Sequence, residues 1–369
     1  MIRIDEIYNN TFWPWFEKNR PGTRVFFCDP FGYTDSEHLF NLGRDDIIEN
    51  DYVYLHDQEP IHLDLHKDLF SEVIERNTDI QLRNHGYIPD GHIVVSELGE
   101  FVEELQKIYG WNVHYYFFHG WACQDWFRGY DKTFLIPRAR ERAPTKTFMS
   151  PNRIVAGKRD HRVLFLYNVF KYQLDNNHIS APRICTYENV DISEIAKKYN
   201  NIYSDIEQVF KNAALPRLFS GEETQEMASC WLTNFTEASD SLFYVPTETV
   251  FFGRRLHITE KTFKAIALEM PFILVAPAHS LEYMRSYGFK TFGDVIDESY
   301  DEVTDDFERI ERVTALLKDI NGLSVKERQR IHAACLPAVE HNFNHFYRGG
   351  FEKVLWKELQ TMLDNFKQN

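Results

Sequence analysis

His92-Ile-Val-Val-Ser-Glu97 is a short apolar run ending in polar residues, and the following Glu100 to Tyr109 stretch carries Phe101, Val102, Leu105 and Ile108 at helical spacing. A run of that length reads as a buried strand, and a three-and-four repeat reads as one face of a helix. Working outward, Arg24-Val-Phe-Phe-Cys-Asp29 and Asp51-Tyr-Val-Tyr-Leu-His-Asp57 have the same strand form, the second running into Gln58-Glu59-Pro60. His114-Tyr-Tyr-Phe-Phe-His119 supplies a further strand. Strands alternating with helical segments predict an α/β fold with an open parallel sheet, and such sheets hold ligands at the carboxyl ends of their strands.

Arg138 to Lys146, with Pro137 and Pro144, reads as a linker. A second α/β set follows it. Lys146-Thr-Phe-Met-Ser150, Arg183-Ile-Cys-Thr-Tyr187, Ser241-Leu-Phe-Tyr-Val245 and Pro271-Phe-Ile-Leu-Val-Ala276 are its strands, with a helix beginning near His161. A second helix is expected to run through Leu268 with Thr259 as its cap. Phe351 to Phe366 is amphipathic, with Leu355, Trp356, Leu359, Met362 and Leu363 along one stripe. The expected organisation is one domain over residues 1–140, a second over 146–345, and a final helix in 346–369.

The chain has 369 residues, which exceeds the size at which a single core keeps growing. A 43% hydrophobic content with 15% aromatics predicts compact globular domains. The first residues lack the apolar core of a signal peptide, and no stretch approaches the roughly 18 apolar residues of a membrane span, so a soluble cytoplasmic protein without a membrane partner is expected. Cys28, Cys123, Cys185, Cys230 and Cys335 are odd in number and form no Cys-x-x-Cys pair, which indicates neither a disulfide framework nor a zinc site. A net charge of −15 repels nucleic acid over most of the surface. The exception lies between Arg138 and Arg162, where eight basic residues against Glu141 and Asp160 leave a local balance of +6. From Asp294 to Glu311, nine carboxylates stand with one arginine, a solvated acidic face.

Four constellations are able to carry chemistry. The first is Glu248 followed by Ile258-Thr259-Glu260-Lys261-Thr-Phe-Lys264. A helix N-terminus favours a phosphate, Lys261 adds a point charge and Glu260 is able to accept from ribose hydroxyls. The alternative is a capped surface helix. The second is Asn152-Arg153 with Lys158-Arg159-Asp160-His161-Arg162, which groups donors where a diphosphate leaving group gathers charge; the alternative is a solvated basic loop. The third is His56-Asp57-Gln58-Glu59-Pro60, where Asp57 and Glu59 are candidate general bases or turn formers. Asp29 and Glu97 are further carboxylates of this kind. The fourth is aromatic, Tyr115 to Tyr130, in which His119 and Trp121 either stack on an acceptor or fill a core. No Asp-x-Asp stands where a donor diphosphate would sit, and His62-x-x-x-His66 has no neighbouring motif to complete a metal site.

Glu-Thr-x-Phe followed by Ile-Thr-Glu-Lys-Thr-Phe-x-Ala-Ile and an apolar strand resembles the donor-site motif of the alpha-1,3-fucosyltransferase family. Ser280-Leu-Glu-Tyr-Met-Arg-Ser-Tyr-Gly-Phe-Lys-Thr-Phe-Gly-Asp is similar to a stretch in glycosyltransferase-like proteins of large tailed phages. The fucosyltransferase resemblance covers about residues 146 to 290. It implies two Rossmann-like domains facing across a cleft, the GT-B type, with acceptor on the N-terminal domain and nucleotide-sugar donor on the second, and it leaves room for a last helix that crosses back. Carried over, the ribose and phosphate contacts fall on Glu260 and Lys261, and the family's Asn-Arg and His-Arg pairs fall on Asn152, Arg153, His161 and Arg162, with Arg159 beside them. The function so implied is a glycosyltransferase, inverting and metal-independent, that uses no cofactor beyond a GDP- or UDP-linked sugar donor. Its acceptor is a saccharide or a hydroxylated base in phage-type DNA. A non-catalytic protein that binds a nucleotide or glycan on the same scaffold is the alternative. The residues name no oligomeric state.

Overall fold

The computed structural model describes residues 3–27, 51–61, 91–109, 112–128, 135–185, 189–219 and 230–366. By proximity of Cα atoms the chain divides into two compact units, residues 1–125 with 352–369, and residues 126–351. Both are α/β with parallel sheets. No helix among the described residues is long and apolar enough to cross a membrane.

The first unit is built on a four-stranded sheet. Its strands are β1 (Arg24–Phe27), β2 (Tyr52–His56), β3 (Gly91–Val95) and β4 (Asn112–Tyr115), parallel throughout and side by side in sequence order. Registers such as Phe26 opposite Tyr54, Tyr54 opposite Ile93 and Ile93 opposite Val113 align the apolar positions. Strand β2 is buried along its whole length, which explains a run of apolar residues without polar alternation. Phe26, Tyr52, Tyr54, Ile93, Val95 and Leu105 form the core, Leu105 from the helix Glu100–Tyr109.

Helical segments from the N-terminal and C-terminal parts of the chain also close this unit. The N-terminal one runs as α-helix over Ile4–Ile7, as π-helix over Tyr8–Phe12 and as α-helix again over Trp13–Asn19. From the far end of the chain, the helix Gly350–Asn365 packs Trp356 edge-on against Trp121, with ring centres 4.7 Å apart. Just past its end, Phe366 stacks on His114 at 3.7 Å. The expected strand His114 to His119 stops at Tyr115 because the chain turns there, and a helix occupies Phe118–Trp126. Its aromatic content alone did not distinguish the two.

In the second unit β5 (Lys146–Ser150) lies between β6 (His178–Ile179) and β7 (Ser241–Tyr244), all parallel. Beyond β7, Phe272 and Val275 make parallel bridges to Tyr244 and Thr247, so the expected strand 271–276 is present only as isolated pairings. The chain steps from β5 to β6 through the helix His161–Lys171, then returns to the opposite side of β5 as β7. Strand order reverses at β5, and the loops leaving the carboxyl ends of β5 and β7 therefore part in opposite directions, the position at which open α/β sheets bind ligands. The expected strand Arg183 to Tyr187 does not join this sheet. Ile184–Cys185 instead pairs antiparallel with Val190–Asp191.

Residues 138–146 pack within this second unit. Arg142 donates to the carbonyls of Leu268 and Glu269 at 2.6 and 3.2 Å, where the helix Glu260–Ala267 has spare acceptors, and Arg138 pairs with Glu269 at 2.8 Å. The acidic stretch is also partly internal. Asp301 is buried and accepts from the Leu281 N–H, and Asp305 caps the helix Asp306–Gly322. Asp29, His62 and His66 lie outside the described residues.

Candidate functional site

The carboxyl ends of β5 and β7 are held together by hydroxyl, amide and guanidinium groups. Ser150 donates from Oγ to the Val245 carbonyl at 2.8 Å. Asn152, two residues past β5, receives a hydrogen bond from Thr247 Oγ1 at 2.9 Å and donates from Nδ2 to Ser150. The guanidinium of Arg162 reaches back from the first turn of its helix. It donates to the carbonyls of Ile154 at 2.6 Å and Thr247 at 2.8 Å. Burial first, and the neighbouring Arg159 second, pull its pKa down to about 9, while Glu248 and Glu260 oppose that shift. The group stays charged at neutral pH, in the low-dielectric interior, with backbone oxygens as partners.

Glu248 lies at the centre. Its carboxylate is wholly buried and accepts from four donors: the Thr259 N–H at 3.2 Å, Thr259 Oγ1 at 2.6 Å, Thr262 Oγ1 at 2.6 Å and the Thr249 N–H at 3.3 Å. A buried charge is tolerated where hydrogen bonds fill its lone pairs. Two of those donors belong to the cap residue and one to the first turn of the helix Glu260–Ala267, so Glu248 fixes where that helix begins. The helix ends where Glu269 adopts a left-handed backbone, φ 51°, just before Pro271.

Lys261 stands at the rim. Its Nζ donates to Thr249 Oγ1 at 3.0 Å, to Thr259 Oγ1 at 3.2 Å and to Glu260 Oε1 at 2.8 Å, with about a quarter of the side chain exposed. Three fixed partners hold the ammonium at the start of the helix, where the dipole also favours an anion. Arg153 and Arg159 are half-buried nearby in sequence, on the loop after β5. His161 is buried and lies flat on Phe251, with ring centres 5.0 Å apart and planes 12° from parallel.

The structure thus joins Asn152, Arg162, Glu248, Thr259, Glu260 and Lys261 in one hydrogen-bonded network beyond the carboxyl ends of β5 and β7. Their duties differ. Asn152, Arg162 and Glu248 turn inward and hold the loops, whereas Lys261, Arg153 and Arg159 keep exposed surface. Thr247, Thr249 and Thr262 escaped the sequence reading. The only available signal was their placing around Glu248 and one turn into the helix, and threonines so placed are common in loops.

In the first unit, Asp57 follows β2 and is buried. Tyr8 donates to its Oδ2 at 2.9 Å. Burial pushes the Asp57 carboxyl up to about 7, although the Tyr8 hydrogen bond acts in the opposite direction. A carboxyl that titrates near neutrality is suited to proton transfer. Glu59 is half-buried, two residues on. Glu97 is internal and accepts from the Ile61 N–H at 3.1 Å. His119 and Trp121 are both buried on the helix Phe118–Trp126, and Trp121 spends its face on packing against Trp356. In that position Trp121 is a core residue and offers no exposed platform to a sugar.

Among the described residues no three His, Cys, Asp or Glu side chains stand together as a metal-binding group. No family model, curated protein or solved structure matches the chain. The chemistry rests on these residues and their geometry.

Proposed function

We propose that the protein is a glycosyltransferase that moves a sugar from a nucleoside-diphosphate donor to an acceptor hydroxyl with inversion and without a metal ion. The observation that carries this reading is the held ammonium of Lys261 at the helix start, beside the reversal of strand order. Ligands of open α/β sheets bind at such reversals, and helix starts bind phosphates. The motif resemblance to fucosyltransferases points to the same residues, and the two-domain GT-B arrangement comes with it as part of the proposal.

On this reading Lys261, Arg153 and Arg159 take the diphosphate, and Glu260 exchanges Lys261 for the ribose hydroxyls. The acceptor oxygen attacks the anomeric carbon, the bond from that carbon to the phosphate oxygen breaks, and its electron pair leaves on the nucleoside diphosphate. The acceptor proton passes to the Asp57 carboxylate. Positive side chains offset the charge that collects on the leaving group.

A saccharide acceptor is favoured over DNA. Of the basic residues between Arg138 and Arg162, Arg138 is paired with Glu269, Arg142 serves a helix end and Arg162 is buried, so much of the +6 is unavailable to a duplex in a protein of net charge −15.

The test is incubation with a panel of uridine and guanosine diphosphate sugars, with and without oligosaccharides, followed by assay of released nucleoside diphosphate. Release that rises with one acceptor class supports transfer. Donor binding without release under every condition replaces the reading with that of a non-catalytic nucleotide-binding protein.

A further inference from the structure

Tyr8 belongs to none of the constellations visible in the sequence, being separated from Asp57 by 49 positions. It is the first residue of the π-helical stretch Tyr8–Phe12. Such a stretch displaces the residues of a helix relative to an unbroken α-helical path, and stretches of this kind are frequent at functional sites. The segment is secured on both sides: the Ile4 N–H donates to Asp125 Oδ2 at 3.1 Å, Phe12 packs on Tyr116 at 5.7 Å, and the Tyr8 ring lies against Phe118 at 6.5 Å. Tyr8 is buried, so its hydroxyl faces the carboxylate out of contact with bulk water.

We propose that Tyr8 is a positioning residue for Asp57, its phenol binding one carboxylate oxygen so that the other is turned toward an acceptor hydroxyl. This rests on the reading of Asp57 as the general base. Tyr8 itself does not exchange protons in the step. Burial, then the Asp57 charge, holds its phenol well above the usual range, so it remains a donor at every pH at which Asp57 titrates. The proton leaves the acceptor oxygen for Asp57 Oδ1, and the Tyr8 O–H stays on Oδ2. Among the described residues, Tyr116, from the turn after β4, and Asp5, one turn earlier in the N-terminal segment, act electrostatically on this pair, and Glu358 of the C-terminal helix acts on Tyr116.

The test uses the full-length protein labelled with ¹³C at aspartate carboxyl carbons, with Asp57→Asn identifying the resonance. In Tyr8→Phe the ring and its packing remain and only the hydroxyl is lost. The expected result is that the Asp57 resonance titrates at higher pH in Tyr8→Phe than in the native protein, while Tyr116→Phe leaves it closer to the native midpoint. An unchanged midpoint in Tyr8→Phe, with a folded spectrum, overturns the proposal. Where transfer activity is measurable, the acid limb of kcat/KM moves up in Tyr8→Phe, and a shift of one pH unit lowers the rate about tenfold below the midpoint. Full activity in Asp57→Asn removes the base reading, and the proposed role of Tyr8 with it, whatever the carboxyl titration shows. A dead Asp57→Asn with an unmoved acid limb in Tyr8→Phe removes only Tyr8.

Discussion

The Glu248 carboxylate accepts from both the backbone N–H and the hydroxyl of Thr259, at 3.2 and 2.6 Å, and so locks the cap of the helix Glu260–Ala267 from a loop eleven residues upstream. Replacement by alanine leaves the Thr259 and Thr262 hydroxyls buried without this acceptor. Each unsatisfied buried group costs about 1–3 kcal/mol, so Glu248→Ala is expected to lower stability by at least about 2 kcal/mol, read as a reduced midpoint in guanidinium unfolding. Glu248→Gln keeps the shape and is expected to lose less.

Lys261 is expected to separate binding from stability. Its ammonium is partly exposed and its ion pair with Glu260 lies at the rim, so Lys261→Ala costs the fold under about 1 kcal/mol. Loss of a charge-assisted contact to phosphate should weaken nucleoside diphosphate binding by about tenfold or more, measured by calorimetry. Equal affinity in mutant and native protein takes Lys261 out of the site.

Arg162 serves the fold through backbone carbonyls on two different loops. A lysine has neither the planar fork nor the reach to satisfy both. Arg162→Lys is therefore expected to destabilise by about 2–4 kcal/mol and to lower the melting temperature by several degrees. A variant that melts with the native protein contradicts the pinning role.

Asp57 gives stability an unusual dependence on pH. Its folded pKa is raised to about 7 from 3.8, so between those values the folded state holds a proton that the unfolded chain has released. Stability from this group is fully present below about pH 4 and is lost as pH rises through 7. Asp57→Asn removes the penalty, and its advantage over the native protein should grow from pH 5 to pH 8 in thermal melts, reaching more than about 1 kcal/mol. An advantage that shrinks across that range contradicts a raised pKa.

Much of the local architecture was legible in the residues. Tyr52–His56 and Lys146–Ser150 are strands as expected; the first is buried along its whole length, and a strand buried on both faces needs no alternation. Thr259 caps its helix as its position before Glu260-Lys261 predicts. Two expectations failed for one reason: a short aromatic or apolar run says only that it is to be buried. His114 to His119 is divided between a strand and a helix, and Ile184–Cys185 pairs outside the sheet because His178–Ile179 holds the place beside β5.

The sequence by itself determined the α/β class and the capped helix, since periodicity and capping chemistry act over a few neighbouring residues; that Glu248 meets Thr259 from eleven residues upstream is set by the tertiary structure. Which of the site residues face inward was decided only by tertiary structure. Arg162 and Lys261 are both cations in a motif, yet one is spent on carbonyls from loops after β5 and β7 while the other remains at the rim. The hydroxyl that meets Asp57 comes from 49 positions away. Such pairings depend on strand order and on how a helix is seated, and neither is written in the spacing of side chains along the chain.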